Sequence, residues 1–480
     1  MAASAIEIRS IDRVPASERH GRPRDQFTLW FGANAQITAI VDGALAVVFG
    51  ADAFWAIVGL LVGNLLGGAV MALHSAQGPK LGLPQMISSR AQFGVLGAVI
   101  PLVFVILMYV GFAATGTVLS GEAINLIIGT DNRSIGILIF GAATAVLAIL
   151  GYRYIHALGR VATVLGLLGF AYLTVSIFTR YDVSHAVFVK PFELSTFLVA
   201  VSVAAGWQLT FGPYVADYSR YLPQQTSERR TFWCTFAGST IGAQCAMTIG
   251  ALAGGLSSAG LGGSFLANQV GYMGNLAGGG LLAFAVYVMI VTGKLTVNCL
   301  NAYGSFMCSV TISTAFTRRS SVKPSARVFA VLAVIAVSVV VALAASADFL
   351  NLFKNFILLL LMVFTPWSVI NLIDYYKISR DRIDVAALYN PDGRYGRWNK
   401  VALTSYAVGI LVQIPFLSQS LYTGPITKLL GGMDISWIVG IAVTAAIYYP
   451  WAKATHRPFP ADAVDRETDA RRGEEHAPIA

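Results

Sequence analysis

The sequence predicts an all-α polytopic membrane protein with twelve transmembrane helices. Ten form a five-plus-five inverted repeat and two follow at the C-terminus. Three observations carry this. Of the 480 residues, 56% are hydrophobic and 12% charged, against about 25% charged in a soluble protein, and mean hydropathy is +0.67. The apolar residues come in runs long enough to span a bilayer, and the basic residues sort to one side of those runs. Two of the runs, the first and the sixth, are interrupted by polar residues and by Gly or Pro.

Spans of about 20 apolar residues fall at 27–50, 53–74, 94–128, 134–152, 157–179, 195–217, 231–254, 280–311, 326–346, 349–373, 400–421 and 434–452. This divides the chain into an N-tail (1–26), a ten-helix transport core (27–373), a polar loop (374–399), helices 11 and 12 (400–452) and a charged tail (453–480) that is expected to be disordered. The segments on the N-terminal side of the membrane hold 27 Lys and Arg and those on the other side hold 4, with Lys294 and Lys354 inside spans. By the positive-inside rule both termini are cytoplasmic, in a multi-pass protein of the plasma (inner) membrane. Helices 1–5 and 6–10 then have opposite topology, each unit led by an interrupted helix. The uncharged, glycine-rich outer loop 255–279 reads as a re-entrant cover or a plain flexible loop.

Broken backbone inside a bilayer survives only against protein or a water-filled cavity, and paired breaks point to a transporter's substrate site. In helix 1 the break falls in Leu29–Asp42, with Gly32, Asn34, Gln36 and Thr38 in an apolar frame. In helix 6 it is expected at Gly206-Trp207, ahead of Gly212-Pro213. The Gln36 amide offers a donor and an acceptor to a heterocycle edge; helix–helix hydrogen bonding is its blander role. The Trp207 indole can stack on a planar ligand, and Phe112, mid-way along helix 3, can supply the second face. In helix 8, Asn298 and Asn301 share a face, and Gly293, Lys294 and Thr296 precede them. An ammonium at mid-span costs at least about 2.5–3.5 kcal/mol to insert, so Lys294 must face a cavity, pair with a carboxylate or be carried uncharged. Asp42 and Glu122 are the deepest carboxylates, each able to pair or to carry a proton. Asp217 and Arg220 end helix 6, where a gate or a structural ion pair is expected.

Other classes are disfavoured. The basic residues are spread among loops rather than clustered on one face, so no nucleic-acid partner is expected. The four cysteines (Cys234, Cys245, Cys299 and Cys308) lie in apolar segments without metal-site spacing. No acid–base or metal constellation supports an enzyme, and no phosphate-cradling loop supports ATP-driven pumping. No cofactor is expected. The partners are the lipid bilayer and a small-molecule substrate.

GPYVADYSRYLP (Gly212–Pro223) and SAQGPKLGLPQMISSRAQFG (Ser75–Gly94) resemble two signatures of the nucleobase:cation symporter-1 family, the purine–cytosine permeases. WFGANAQ (Trp30–Gln36) and GEAI (Gly121–Ile124) are similar to its helices 1 and 3. The resemblance covers roughly residues 20–450 and implies a LeuT-like fold and symport of a nucleobase or related heterocycle with Na⁺ or H⁺. By position it implies substrate contacts at Gln36, at Gly206-Trp207 and at Asn298 or Asn301, with Phe112 where hydantoin carriers stack a Trp. It implies a sodium site of backbone oxygens from Gly32, Ala35 and helix 8 (Gly293), completed by two adjacent helix 8 hydroxyls. Here that pair reads Thr296-Val297 and Lys294 lies beside it, which favours H⁺. Gly116 stands where some members have Gln.

The reading is a secondary active importer of purine bases and/or cytosine, H⁺ favoured over Na⁺ as coupling ion, working by alternating access. Trp207 and Phe112 would sandwich the ring, and freed backbone near Gly206 would help to bind it. The alternatives are another heterocycle on the same fold (allantoin, hydantoin, uracil or a pyridine vitamin), or a non-transporting sensor or channel.

Overall fold

The computed structural model describes residues 11–150, 152–317, 324–420 and 422–456. The first ten residues of the N-tail, and residues 457–480 of the tail expected to be disordered, lie outside the described residues. In chain order the helices are α1 (Pro23–Asn34), α2 (Ile37–Val48), α3 (Ala53–Leu81), the single turns α4 (Gln85–Ser88) and α5 (Arg90–Phe93), α6 (Val99–Ile128), α7 (Arg133–Leu150), α8 (Tyr152–Arg180) and α9 (Leu194–Leu209). Then come α10 (Ala216–Ser219), α11 (Glu228–Ser258), α12 (Gln269–Leu276), α13 (Gly280–Thr317), α14 (Pro324–Ala345), α15 (Phe349–Ile373), α16 (Lys400–Leu411), α17 (Pro425–Leu429) and α18 (Ser436–Thr455). No strand occurs among the described residues.

Every expected span has its helix. Among the described residues eight helices are long and apolar enough to cross a membrane alone, α1 and α2 make a ninth as a pair bent by 62°, and Leu194–Leu209 and Lys400–Phe416 are shorter apolar helices. The twelfth expected span is α18. Span 8 runs six residues further than expected, to Thr317. The glycine-rich loop 255–279 is folded: its α12 is largely buried and packs on α13, α6 and α8.

Close helix approach comes from small residues, as expected where lipid removes the hydrophobic drive for association. Gly59, Gly63 and Gly67, spaced four residues apart, form a stripe on α3 against α9. A Cβ at Gly59 would stand 2.9 Å from the Phe197 oxygen, and one at Gly67 2.7 Å from the Ala205 oxygen. Gly43 of α2 meets the Met247 backbone of α11 in the same way, and Gly250 of α11 meets the Ile40 oxygen. On the N-terminal side, Arg90 is fully buried without a carboxylate. It donates to Thr311 O and Thr314 Oγ1 at 2.8 Å and to Leu388 O at 3.2 Å. A cation there suits the negative end of α13's dipole, and it pins the polar loop 374–399 to the bundle.

On the opposite side Asp52 caps α3 and ties it to the α8–α9 loop. Its carboxylate accepts backbone N–H bonds from Phe54 (2.9 Å), Phe188 (3.1 Å), Val189 (2.8 Å) and Lys190 (3.1 Å). Phe188 takes φ 59°, a left-handed conformation costly for a bulky residue. Burial opposes ionisation of Asp52, but the four N–H donors outweigh it and hold the carboxyl below its ordinary value. Its stabilisation is therefore complete above the ordinary carboxylate range and is lost as pH falls through the lowered folded-state value. Asp52→Ala should cost about 1–3 kcal/mol. Thermal unfolding in detergent over an acidic pH series should show the difference from wild type shrinking as pH falls.

Candidate functional site

The break in helix 1 is a single inverse γ-turn. Ala35 has φ −79° and ψ 71°, and Gln36 N donates to Asn34 O at 2.9 Å. Gln36 is then extended (φ −146°, ψ 158°) and α2 starts at Ile37. The carbonyl end of α1 and the amide end of α2 thus meet at one point. The Gln36 side chain meets part of that need by donating to Ala33 O at 2.8 Å.

Lys294 fills the break. It is 3% exposed, and its Nζ donates to Gln36 Oε1 at 2.6 Å and Thr38 Oγ1 at 2.7 Å. Of the three sequence options, pairing with a carboxylate is not the one adopted: among the described residues no ion pair reaches Lys294. The amide and hydroxyl acceptors, with the negative end of α1, take that role. Gly116 makes the room, since a Cβ there would stand 3.3 Å from Lys294 Cδ and closer still to Asn298 Oδ1.

Asn298 is oriented from the α6 side. Its Nδ2 donates to Ala113 O at 2.8 Å and Thr117 Oγ1 at 3.0 Å, leaving Oδ1 buried and without a partner. Asn301, 9% exposed, has a buried Nδ2 without a partner. One acceptor and one donor therefore stand free on the same face of α13. The Thr296 hydroxyl turns back to Gly293 O at 2.8 Å. Space beside Gly32 and Gly293 is open, since a Cβ at either meets nothing within 4 Å. Ala35 O lies 3.9 Å from where a Gly166 Cβ would be, so α8 borders this space. Residues 37–47 are buried, whereas Phe31, Gly32, Ala33, Ala35 and Gln36 keep some exposure. The site is sealed on the α2 side and open on the α1 side.

Helix 6 differs from expectation. α9 runs unbroken through Gly206-Trp207 to Leu209, and the break is the turn at residues 210–215. Gly206 O accepts from Thr210 N at 3.0 Å, so there is no freed backbone at Gly206. A Cβ at Gly206 would stand 2.9 Å from Ile357 Cγ2, so this glycine serves the packing of α15. The freed carbonyl is that of Trp207, which takes the Thr210 hydroxyl at 2.6 Å.

Trp207 is 1% exposed and its Nε1 donates to Asn34 Oδ1 at 2.6 Å. Asn34 is the hub of a buried chain: its Nδ2 donates to Trp30 O (2.7 Å) and Ser239 Oγ (3.1 Å), Ser239 donates to Gln208, and Gln208 donates to Asn64. Phe112 meets Trp207 edge to face, with centroids 5.6 Å apart at 88°. A base held between two parallel rings needs about 7 Å between them, so the expected sandwich is not present in this conformation. Phe211, which the sequence reading passed over, packs on Trp207 (5.9 Å, 83°) and on Trp30 (5.3 Å, 63°). Its signal was its place in the helix 6 break.

Asp217 and Arg220 lie away from this centre. Asp217 Oδ1 accepts from Gln85 N at 2.7 Å, and Arg220 Nε donates to Asp217 O at 3.2 Å. They fasten the end of helix 6 to the turn after α3.

Residues 13–440 match the profile of a family described as "Permease for cytosine/purines, uracil, thiamine, allantoin". A relative named "Putative purine-cytosine permease YxlA", from Bacillus subtilis (strain 168), is 38% identical over 444 residues, 92% of this chain and 95% of its own. The purine-cytosine permease fcyB of Emericella nidulans is 25% identical, over 92% of this chain and 87% of its own. Among solved structures, the inward-facing conformation of Mhp1 covers 100% of both chains at TM-score 0.77 and 19% identity. A closed form of Mhp1 with bromovinylhydantoin bound covers 97% of this chain and 100% of its own at TM-score 0.72 and 19% identity. The chain has the LeuT-like fold of Mhp1 and is a transporter rather than an enzyme, belonging to the nucleobase:cation symporter-1 family of permeases.

Proposed function

We propose that this protein imports purine nucleobases and/or cytosine across the plasma (inner) membrane by alternating access, coupled to a proton gradient. The observation that carries the coupling ion is Lys294, whose ammonium occupies the helix 1 break and is held by Gln36 and Thr38. A fixed cation there supplies the charge a sodium ion would bring. The hydroxyl pair is also incomplete, with Thr296 turned onto its own helix and Val297 beside it. Both termini are cytoplasmic in this reading, from the basic-residue asymmetry.

The substrate class follows from relatives named purine-cytosine permeases and from the donor–acceptor set at the site. The free Asn298 Oδ1 and Asn301 Nδ2 suit the mixed edge of a nucleobase. Trp207 supplies a stacking face once Phe112 rotates away from it. Gln36 serves both ligands: its Oε1 bonds Lys294, and it can turn to the substrate when the lysine gives up its proton. Sodium is the second reading, favoured by the open space beside Gly32 and Gly293.

In proteoliposomes, a pH gradient should drive accumulation of radiolabelled cytosine or hypoxanthine, a protonophore should abolish it, and removing sodium should leave it intact. The reverse pattern sinks the proton reading. Competition by allantoin, hydantoin, uracil or a pyridine vitamin, but not by adenine or cytosine, would replace the substrate. Trp207→Ala should weaken substrate binding by about 1–3 kcal/mol, roughly five- to 150-fold, measured by equilibrium binding. Lys294→Gln should abolish the dependence of uptake on the pH gradient, read as initial rates at fixed substrate.

A further inference from the structure

Lys294 accounts for Gln36 and Thr38, but a carboxylate one helical turn beyond them has nothing. Asp42 of α2 has no exposure, and neither of its carboxylate oxygens has a hydrogen-bond partner. An unpaired anion does not persist in such a place, so the site calls for a small cationic ligand. Thr38 and Asp42 are four residues apart and share one face of α2, separated by about 6 Å along the axis. Thr38 Oγ accepts from Lys294, so the carboxylate stands one turn beyond the group that holds the ammonium.

The surroundings offer Asp42 no other partner. The facing stretch of α11, residues 246–255, has no titratable group, nor has α9, nor α3 between Ala53 and Leu73. On α6, Glu122 accepts from Val270 N at 3.5 Å. On α15, the Lys354 ammonium lies 3.7 Å from the centroid of the Phe49 ring, two turns beyond Asp42. On α13, Lys294 is bonded as described.

We propose that Asp42 is a proton-binding site in series with Lys294, its carboxyl standing one turn of α2 beyond the Thr38 hydroxyl that holds the ammonium. The inference rests on the proton-coupled reading above. An O–H bond forms at Asp42 when the carboxylate takes a proton from water on the side that α2 closes. It breaks when a water molecule takes that proton and gives one of its own to an uncharged Lys294 amine. The resulting ammonium releases one proton to water on the α1 side. One proton enters, one leaves, and nothing is oxidised or reduced.

The test uses the full chain in proteoliposomes. Wild type should accumulate cytosine under a pH gradient, with affinity that depends on pH. Asp42→Asn, which copies the neutral acid, should lose accumulation and bind cytosine with one affinity at every pH. Asp42→Glu should restore the pH dependence in part, which a loss of folding could not imitate. Sodium-driven, proton-insensitive uptake by wild type overturns the coupling reading and this inference together. Proton-driven accumulation that survives in Asp42→Asn overturns the Asp42 assignment alone.

Discussion

The centre of this protein depends on one ammonium group placed where a helix has come apart. Lys294 sits inside a membrane span and is 3% exposed. The break between α1 and α2 makes that tolerable, because it turns the negative end of α1 and two oxygen acceptors toward one point. The dependence runs both ways. Without a cation, the negative end of α1 would lose its counter-charge, although the Gln36 amide would still meet Ala33 O. The absence of a side chain at Gly116 follows from the same demand, since any other residue would meet the lysine stem and the Asn298 amide.

A second polar system holds the two repeats together around that centre. Asn34 is the first residue of the γ-turn and reaches Trp207 on α9 and Ser239 on α11, so the two interrupted helices are bonded directly. Buried hydrogen-bonded chains of this kind are costly to leave half-satisfied. α1, α3, α9 and α11 are therefore expected to move as a unit when the site changes its access. Helix 8 meets that unit through Lys294, and helix 3 is tied to helix 8 by the Asn298 bonds to Ala113 and Thr117. The coupling ion would then act at the joint between two bodies, the place where a single proton has most leverage on their relative position.

The sequence by itself determined the number of spans and the identity of the break in helix 1, because both rest on local quantities: apolar length, and polar groups inside an apolar run. It also marked Lys294 as a residue in need of company. Tertiary structure alone decided who that company was. The lysine's options differed only in which groups from distant parts of the chain came within reach, and Gln36 and Thr38 arrived rather than a carboxylate. The same holds for Gly206, where a glycine beside a tryptophan reads as a break but serves the approach of α15. It holds for Phe112, whose ring plane is set by Trp207 and Phe356 together. Asp42 shows the limit most clearly. A carboxylate in a span is legible as costly, but that it stands unpaired can be seen only once every neighbouring helix is in place, since pairing is a property of side chains far apart in the chain.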